Sequence, residues 1–486
     1  MLPEAHLDPD STIPLYRQLY THVKDCIDSG ALRAGDRLPP TRDLAGHLGL
    51  NRTTISAAWA LLESDGLISG HVGRGSFVTG GAPSAGLAWS ALLPEQERHP
   101  AVGPARFSFA ASRPSELLFP TDAFRESCEE VIRSDEARVI LQLGSPAGYR
   151  PLREFLLDRG REEGIVRDGD DVLVTSGIQQ AFDLLQRVLV ANGETVITED
   201  PVYSGLTSVL RRGGANLIGV PVGDDGVDLQ TLERTASREK PRLILVTSNF
   251  QNPTGATLSV EAREKVLSIV RACGAVLVEN DIYGDLVYEG AKLPTIRQRD
   301  DRGDTVLLRS FSKLAFPGLR TGWVIGPRLL IARLTEAKQV SDLHTDQLSQ
   351  AVLLRFAASG RLAEHRVRVL EECGRRLRAA LAACEEFLPR ECSFTRPRGG
   401  MSLWIRLPQP LDAGELLARA ERDGVNYLPG RVFGVSRNHS GALRLSFAQL
   451  APEHIRAGIE ILGRIFTAEL QRVRRIERLD PTPAMV

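Results

Sequence analysis

The sequence predicts a protein of the α/β class, in which a small helical unit precedes a large portion with a mainly parallel sheet and a smaller α+β portion. Three observations support this prediction. Amphipathic helical stretches and a glycine-rich segment fill the first 80 residues. A proline- and glycine-rich segment without a period follows, and after it apolar runs alternate with helical stretches. Apolar runs on successive residues are typical of strands covered on both faces, as in parallel sheets.

The composition limits the functions to consider. The chain has 486 residues, with 60 Lys and Arg against 61 Asp and Glu, so its net charge of -1 gives no sign of nucleic-acid binding. Six cysteines without a Cys-x-x-Cys pair predict neither a disulfide framework nor a thiolate metal site, and we expect no metal. Without a basic and then apolar leader, or about 18 successive apolar residues, we expect a cytoplasmic protein outside the membrane.

Three helices are predicted in the first 65 residues. An apolar residue at every fourth position from Leu15 to Ile27 predicts a first amphipathic helix, which Gly30 ends. Thr41 is expected to cap a second, short helix, and Asn51 a third one after a tight turn. Two helices joined by so short a turn cross steeply, as in a helix-turn-helix.

The third helix and the glycine-rich segment after it carry the candidate DNA contacts. Segment 66–79 predicts a β-ribbon with an arginine between two glycines at its tip, where it can approach a groove closely. The N-terminal end of a recognition helix is where side chains reach base edges. Together they predict a winged helix-turn-helix; the alternative is a helical accessory domain whose arginines only solvate it. The candidate DNA-binding residues are Arg42, Asn51, Arg52, Thr53, Thr54 and Arg74.

A family resemblance favours the DNA-binding interpretation. The chain resembles the DNA-binding domain of the GntR regulator family over essentially all of residues 11–80, in the segments PLYRQLYTHVKDCI, GALRAGDRLPPTRDLAGHLGLNRTTISAAWALLESDGLI and GRGSFV. The resemblance implies that this domain binds double-stranded operator DNA. Residues 81–106 then predict a flexible linker, and such a coil has a root-mean-square reach of about 26 to 31 Å.

The rest of the chain divides into two portions. The predicted strands of the large domain, residues 107–335, lie at 171–175, 195–198, 243–247, 275–279, 306–308 and 322–325. Residues 336–475 predict a smaller α+β domain, because a helical stretch is followed by strands at 401–407 and 443–447 and a helix from 452. Residues 476–486 are expected to form a tail.

A lysine just after a strand is the first candidate for chemistry in the large domain. Lys313 lies in the segment SFSK, and an amine that burial keeps uncharged can form a Schiff base. A lone lysine is usually a solvated charge, so the interpretation depends on its neighbours. The strand-to-helix turn TSGIQ has amides that can hold a phosphate, with hydroxyls and an arginine as further donors. These candidate phosphate ligands are Ser176, Gly177, Ile178, Ser310, Ser312 and Arg320.

Four further residues suit an aromatic cofactor. Asp281 and Tyr283 follow strand 275–279, and their spacing of two predicts that both side chains point the same way. A carboxylate there can keep a pyridine nitrogen protonated, which makes pyridoxal 5'-phosphate (PLP) an electron sink. Asn252 and Tyr283 are candidates for its phenolic oxygen, and Tyr203 for stacking on its ring. Each residue alone has an ordinary structural explanation, but the set is difficult to produce by chance.

The large portion also resembles a known family. Residues 107–470 resemble fold type I aminotransferases in the segments TSGIQQAFDLL, EDPVYSG, NFQNPTG, ENDIYGDL, SFSKLAFPGLRTGWVIG and LRLSF. The resemblance implies that Lys313 forms the internal aldimine, that Asp281 meets the pyridine nitrogen, and that the site lies at a homodimer interface. It also implies that Arg444 pairs with a substrate carboxylate, for which a planar bidentate donor is apt. The alternative for Arg444 is an ordinary structural ion pair.

The combination of the two domains resembles the MocR subfamily of GntR regulators. It implies a PLP-dependent, DNA-binding transcriptional regulator whose aminotransferase-like domain senses an amino compound or PLP itself. A catalytically active aminotransferase with an accessory N-terminal domain, and a PLP sensor without an amine effector, are the alternatives. Two departures matter: Ser204, Gly205 and Leu206 follow Tyr203, where γ-aminobutyrate-responsive members tend to have an arginine, and Asn252 makes QNPTG more like a true aminotransferase. The identity of the amine and residual transamination therefore stay open.

Overall fold

The computed structural model describes residues 7–8, 13–71, 75–79, 103 and 105–479, with side chains described as far as residue 475. The chain forms two compact units, Met1–Arg98 and His99–Val486. Most of the predicted linker, namely residues 81–102 and 104, lies outside the described residues. None of the described helices combines the length and apolar composition needed to cross a bilayer.

The N-terminal unit is a winged helix-turn-helix, as predicted. Its elements are the helices Leu15–Asp28, Thr41–Leu48 and Arg52–Ser64 and the antiparallel strands β1 (Ile68–His71) and β2 (Gly75–Val78). Asn51 caps the third helix, because its side chain accepts a hydrogen bond from the Thr53 amide at 3.2 Å. The predicted Thr41 cap is wrong: Pro40 occupies the cap position, and Thr41 is the first helical residue. The core contains Leu19, Val23, Leu44, Ile55, Ala58, Trp59 and Leu62.

An eight-stranded, mainly parallel sheet forms the centre of the second unit, which confirms the predicted class. After the short β3 (Phe107–Ser108), its strands are β4 (Asp170–Thr175), β5 (Thr195–Asp200), β6 (Asn216–Gly223), β7 (Gly226–Val227), β8 (Leu243–Val246), β9 (Val276–Asn280), β10 (Thr305–Ser310) and β11 (Gly322–Pro327). Their order is β4-β11-β10-β9-β8-β5-β6-β7. The pairs from β6 through β5, β8 and β9 to β10 are parallel, whereas β7 and β11 pair antiparallel with their neighbours.

Helices cover both faces of this sheet, and the apolar runs of the strands follow from that arrangement. Val172 and Val174 pack in one core with Phe356, whereas Leu173 between them packs in another core with Phe182. Both faces of β4 are therefore buried. The helices of this part are Thr121–Arg133, Ala137–Ile140, Arg150–Glu162, Ile178–Leu189, Ser204–Arg212, Leu229–Glu239, Val260–Cys273, Ile296–Arg299, Arg328–Asp342 and Gln347–Ala358. The helix Arg361–Phe387 follows, and its Leu377 and Ala380 lie in the core of the C-terminal portion.

The C-terminal portion is a smaller α+β layer. Strands β12 (Ser393–Phe394), β13 (Ser402–Arg406), β15 (Leu428–Pro429) and β16 (Ala442–Ser446) form an antiparallel sheet, and β14 (Val425–Asn426) pairs with β3. The helices Ala413–Arg422 and Pro452–Leu479 complete it. The last helix continues to residue 479, so the predicted tail from 476 begins too early.

The packing bears on where the two portions of this unit meet. Helix Gln347–Ala358 contributes Ala351 and Phe356 to the core that contains Val172 of the large sheet. Phe107, by contrast, lies in the core of the C-terminal layer. We therefore propose that the boundary predicted at residue 335 lies after residue 358, and that the segment around Phe107 belongs to the smaller portion.

Candidate functional site

A cavity of about 300 Å³ lies where the carboxyl ends of β5, β8, β9 and β10 meet. The carboxyl edge of such a sheet is the usual place for a ligand site. Nine predicted site residues line it: Ile178, Tyr203, Asn252, Tyr283, Ser310, Ser312, Lys313, Arg320 and Arg444. The fold therefore brings together most of the residues that the sequence predicts to form one site.

One end of the cavity is suited to a phosphate. Helix Ile178–Leu189 begins there, and Gly177 before it has φ +80°, where any side chain would collide with the Arg320 guanidinium. The Ser310 hydroxyl lies 3.0 Å from the hydroxyl of Ser312. A helix N-terminus, a guanidinium and hydroxyls together stabilise a dianion.

Two of the three predicted backbone donors are already engaged. The Ser176 amide donates to Gln180 Oε1 at 2.8 Å, and the Gly177 amide donates to the Thr175 carbonyl at 2.7 Å. Neither Ser176 nor Gly177 lines the cavity, whereas Ile178 does. We therefore propose Ile178 as the amide that faces a phosphate, and for Ser176 and Gly177 the role stays a prediction, because the turn before the helix uses their amide donors.

Lys313 follows β10 and points its amine at neutral groups. Its Nζ donates to the Ser112 carbonyl at 2.6 Å and lies 5.3 Å from the centre of the Tyr283 ring. The Ser112 hydroxyl is in turn 3.5 Å from the Tyr283 hydroxyl. Sequence reasoning missed Ser112, because it lies 201 residues before Lys313 and in no recognisable pattern.

Arg444 on β16 is a buried cation without an acidic partner among the described residues. Its Nη1 donates to Asn252 Oδ1 at 3.0 Å, its Nη2 donates to the Ala110 carbonyl, and its Nε has no partner there. The side chain is 4% exposed, and burial lowers the pKa of the guanidinium to about 10. The alternative of an ordinary structural ion pair is therefore wrong. A buried charge with neutral partners favours an incoming anion.

Asp281 does not line this cavity, which corrects the prediction. Its carboxylate is 4% exposed and accepts from Asn249 Nδ2 at 2.7 Å and from Arg309 Nε at 3.1 Å. Strand β9 ends at Asn280, one residue later than predicted. The neighbouring residue Asn280 lines the cavity, and successive side chains of an extended segment point to opposite sides, so Asp281 points away from the cavity. Tyr283 does line the cavity, but it lies beyond the strand, where alternation no longer holds.

Asn280 occupies the cavity-lining position that the prediction gave to Asp281. Its Nδ2 donates to Thr247 Oγ1 at 3.4 Å, and its Oδ1 is buried without a partner among the described residues. Sequence reasoning missed it. The available signal was its spacing of two from Val278, whose side chain packs in the core on the same side of the sheet.

Glu199 is a second cavity residue that the sequence did not reveal. Its carboxyl accepts from the Thr247 amide at 3.1 Å and from Gln251 Nε2 at 3.4 Å. Complete burial raises the pKa of Glu199 to about 8. The group is therefore largely uncharged at neutral pH.

The candidate DNA contacts belong to the N-terminal unit. Arg42, Arg52 and Thr53 are exposed, and Thr54 is half-buried. Asn51 is exposed, but its side-chain oxygen already serves the helix cap. The predicted contact Arg74 lies outside the described residues.

Residues 117–462 match the family described as aminotransferase class I and II, which covers more than half of the chain. The chain belongs to this family. Residues 15–78 match the gntR family of bacterial regulatory proteins. The molecule is thus a GntR-type regulator domain fused to a class I and II aminotransferase domain.

Relatives of both kinds are similar to the chain. The 2-aminoadipate transaminase of Thermus thermophilus is 36% identical over 365 residues, which cover 74% of this chain and 90% of the transaminase. The probable rhizopine catabolism regulatory protein MocR of Rhizobium meliloti is 29% identical over 480 residues, which cover 95% of this chain and 96% of MocR. The MocR-type relative therefore matches both domains of the fused regulator.

Solved aminotransferases share the fold of the second unit. A kynurenine aminotransferase of Pyrococcus horikoshii, in complex with PMP, has a TM-score of 0.73 at 32% identity and covers 75% of this chain and 91% of its own. LysN of Thermus thermophilus, complexed with N-(5'-phosphopyridoxyl)-L-leucine, has a TM-score of 0.71 at 35% identity and covers 75% and 93%. The cofactor of the aminotransferase domain is PLP, and a lysine, a phosphate cradle and aromatic side chains at the cavity fit it.

Glu199 gives a prediction for stability. Its pKa is about 8 in the folded state against 4.5 ordinarily, so between these values the folded protein keeps a proton that the unfolded chain has lost. Stability therefore falls as the pH rises through this window, and Glu199→Gln should remove the decline. We expect urea unfolding of the cofactor-free protein to show the variant gaining up to about 1.4 kcal/mol per pH unit over the wild type from pH 5 to 8.

The matched control is Glu162→Gln, which changes an exposed carboxyl. Its difference from the wild type should stay nearly constant over the same pH range. A Glu199→Gln difference that is equally constant would contradict the assignment of a buried, protonated carboxyl.

Proposed function

We propose that the chain is a PLP-dependent transcriptional regulator, in which an amino compound that binds at the cavity changes operator binding by the winged domains. The observation that carries the proposal is Arg444, a buried guanidinium with neutral partners in the same cavity as the Lys313 amine. An amino acid offers both groups that this pair recognises. Its amine reacts where Lys313 does, and its carboxylate pairs with Arg444.

The cavity residues suit distinct roles toward PLP. When bound, the cofactor supplies an aldehyde that combines reversibly with amines and a ring that withdraws electrons. Lys313 would hold it covalently, and Arg320 with the amide of Ile178 and the hydroxyls of Ser310 and Ser312 would hold its phosphate. The geometry also supports the predicted roles of three residues, namely Asn252 and Tyr283 near the phenolic oxygen and Tyr203 on the ring face.

The proposal includes a homodimer built on the aminotransferase domain. Large apolar side chains between residues 117 and 143 are exposed in the single chain, among them Leu117 at 87% and Leu143 at 73%. Exposed apolar side chains within one region favour contact with another protein surface. A symmetric dimer would present two winged domains to paired half-sites of an operator.

Amino transfer is the second candidate function. The cavity retains a lysine, Tyr283 and Asn252, and the 36% identical relative is named a 2-aminoadipate transaminase. The two functions separate in a steady-state assay. Turnover of an amino acid with a keto acid at rates ordinary for transaminases, without any effect on operator binding, would favour the enzyme.

The first test of the proposal concerns Lys313. Lys313→Ala removes the amine at the cavity, so borohydride reduction should no longer fix PLP to the protein, as mass spectrometry would show. Lys265→Ala is the control, because Lys265 pairs with Glu233 on the surface and should not matter. PLP fixed covalently to the Lys313 variant would place the attachment elsewhere.

The second test concerns Arg52, which is exposed in the first turn of the third helix. Arg52→Ala should weaken operator binding by about 1 to 3 kcal/mol if the side chain reads a base, or lower the salt slope by about one if it contacts a phosphate. Fluorescence anisotropy at several salt concentrations measures both quantities. The control Arg212→Ala removes an exposed charge from the other unit and should bind as the wild type does. Equal binding by both variants rejects the placement of Arg52.

The third test joins the two domains. L-2-aminoadipate and other L-amino acids are titrated while absorbance of the cofactor and affinity for the operator are recorded together. A coupling of about 1 to 3 kcal/mol would change operator affinity about 5- to 150-fold. Arg444→Ala should keep PLP but lose this response, because the effector carboxylate loses its partner. An absorbance change in the wild type with unchanged operator affinity would reject the coupling.

A further inference from the structure

The floor of the cavity contains an amide where an aminotransferase-like site calls for an acid. Asn280 ends β9 and lines the cavity, with its Oδ1 buried and without a partner among the described residues. Its Nδ2 is 3.4 Å from Thr247 Oγ1. A buried polar atom left without a partner costs free energy, so this position suits contact with a polar atom of a ligand.

The carboxyl groups near Asn280 have other partners. Asp281 binds Arg309 and Asn249 on the other side of the strand. Among the described residues that line the cavity, Glu199 is the only one with a carboxyl group. Its oxygens accept from the Thr247 amide and from Gln251, and burial raises its pKa to about 8. At neutral pH the cavity therefore presents no carboxylate to a ligand.

The other charged groups at the cavity are cations. Arg320 and Arg444 line it, in addition to Lys313, whose amine would be bonded to the cofactor. Positive charges nearby disfavour a further proton on a ligand atom. The positive charges of the cavity and the uncharged Asn280 amide therefore both disfavour a protonated ligand atom.

We propose that Asn280 faces the pyridine nitrogen of PLP and holds it unprotonated. A carboxylate would stabilise a protonated ring nitrogen, whereas an amide N–H donates to the neutral one. If the amide turns by 180°, Nδ2 meets the ring nitrogen and Oδ1 accepts from the Thr247 hydroxyl, with the same heavy-atom positions. The inference rests on the proposed function for the placement of PLP at this cavity.

The consequence is a division between amine binding and amine conversion. In the exchange, the incoming amine would form a bond to the carbon that Lys313 holds, and the bond to Lys313 would break and release the lysine amine; neither change requires a protonated ring nitrogen. Removal of the proton from the amine-bearing carbon needs a ring that withdraws electrons strongly, which is the property a protonated nitrogen confers. Asn280 thus determines that the site retains its amine and transfers the amino group slowly.

The experiment reads the nitrogen directly. PLP carrying ¹⁵N in its ring is added to the full-length, cofactor-free protein, and the ¹⁵N resonance is compared with that of free PLP at alkaline and at acid pH. We expect the wild-type resonance at neutral pH in the range of the unprotonated nitrogen. In Asn280→Asp it should shift to the protonated range, because the new carboxylate stabilises the pyridinium.

Two matched variants identify the responsible residue. Asp281→Asn and Glu199→Gln each convert a neighbouring carboxyl group to an amide, and both should leave the resonance where the wild type has it. A protonated nitrogen in the wild type overturns the proposal without recourse to any variant. An Asn280→Asp protein that binds the label and stays unprotonated also overturns it, as does a shift caused by Glu199→Gln.

The ¹⁵N measurement is independent of the test of regulation, because neither DNA nor an amine effector is present. Loss of operator coupling with an unprotonated nitrogen would contradict the regulatory function and support the role of Asn280. A label that does not bind would overturn the placement of PLP and the role of Asn280 together.

Discussion

A network of buried charged side chains fixes the carboxyl edge of the sheet, on the side of β9 away from the cavity. Arg263 donates to the Ser248 carbonyl at 3.0 Å and to Asn249 Oδ1 at 2.7 Å. Asn249 donates in turn to Asp281, whose carboxylate also accepts from Arg309. Removing one partner of a buried pair costs about 3 to 5 kcal/mol, because the other charge is left alone. The loops after β8 and β9 therefore have fixed positions, and the cavity residues they carry share that rigidity.

At the end of β9, the side chains on one face belong to this network, whereas the side chain on the other face lines the cavity. Glu279 accepts from the Ser248 hydroxyl at 2.6 Å and from the amides of Ile296 and Arg297, so it holds neighbouring segments together. Asn280, between Glu279 and Asp281, is left for the cavity by the alternation of the strand. These acids therefore stabilise the scaffold, and a ligand in the cavity meets the Asn280 amide and the guanidinium groups of Arg320 and Arg444. Binding of an anionic ligand to this positively charged cavity stabilises the folded protein.

The sequence supports accurate inferences where its patterns are strong, and it fails where a single residue of register decides. Continuous apolar runs indicated the central strands, because both faces of the sheet are covered. Strand β6 was missed, since its residues are mostly half-buried and include Gly219 and Pro221. Asp281 was expected at the cavity because it is an acid two residues before Tyr283, but the alternation of the strand places Asn280 there instead. Ser112 gave no local signal, because only the fold brings it to Lys313.

The nature of the cavity explains why an aminotransferase fold can serve regulation. A ligand shifts a conformational equilibrium only through a difference in its affinity for the two states, and that difference acts only while the ligand stays bound. A site that converted its amine quickly would no longer hold that ligand, and the shift in the conformational equilibrium would end. Arg320 and Arg444 would bind phosphate and carboxylate firmly, while the neutral amide of Asn280 would leave the ring a weak electron acceptor. Strong binding and slow conversion are opposite to what an efficient catalyst needs, because a catalyst gains rate only from interactions that are stronger in the transition state. They are the properties that a sensor of amino compounds requires.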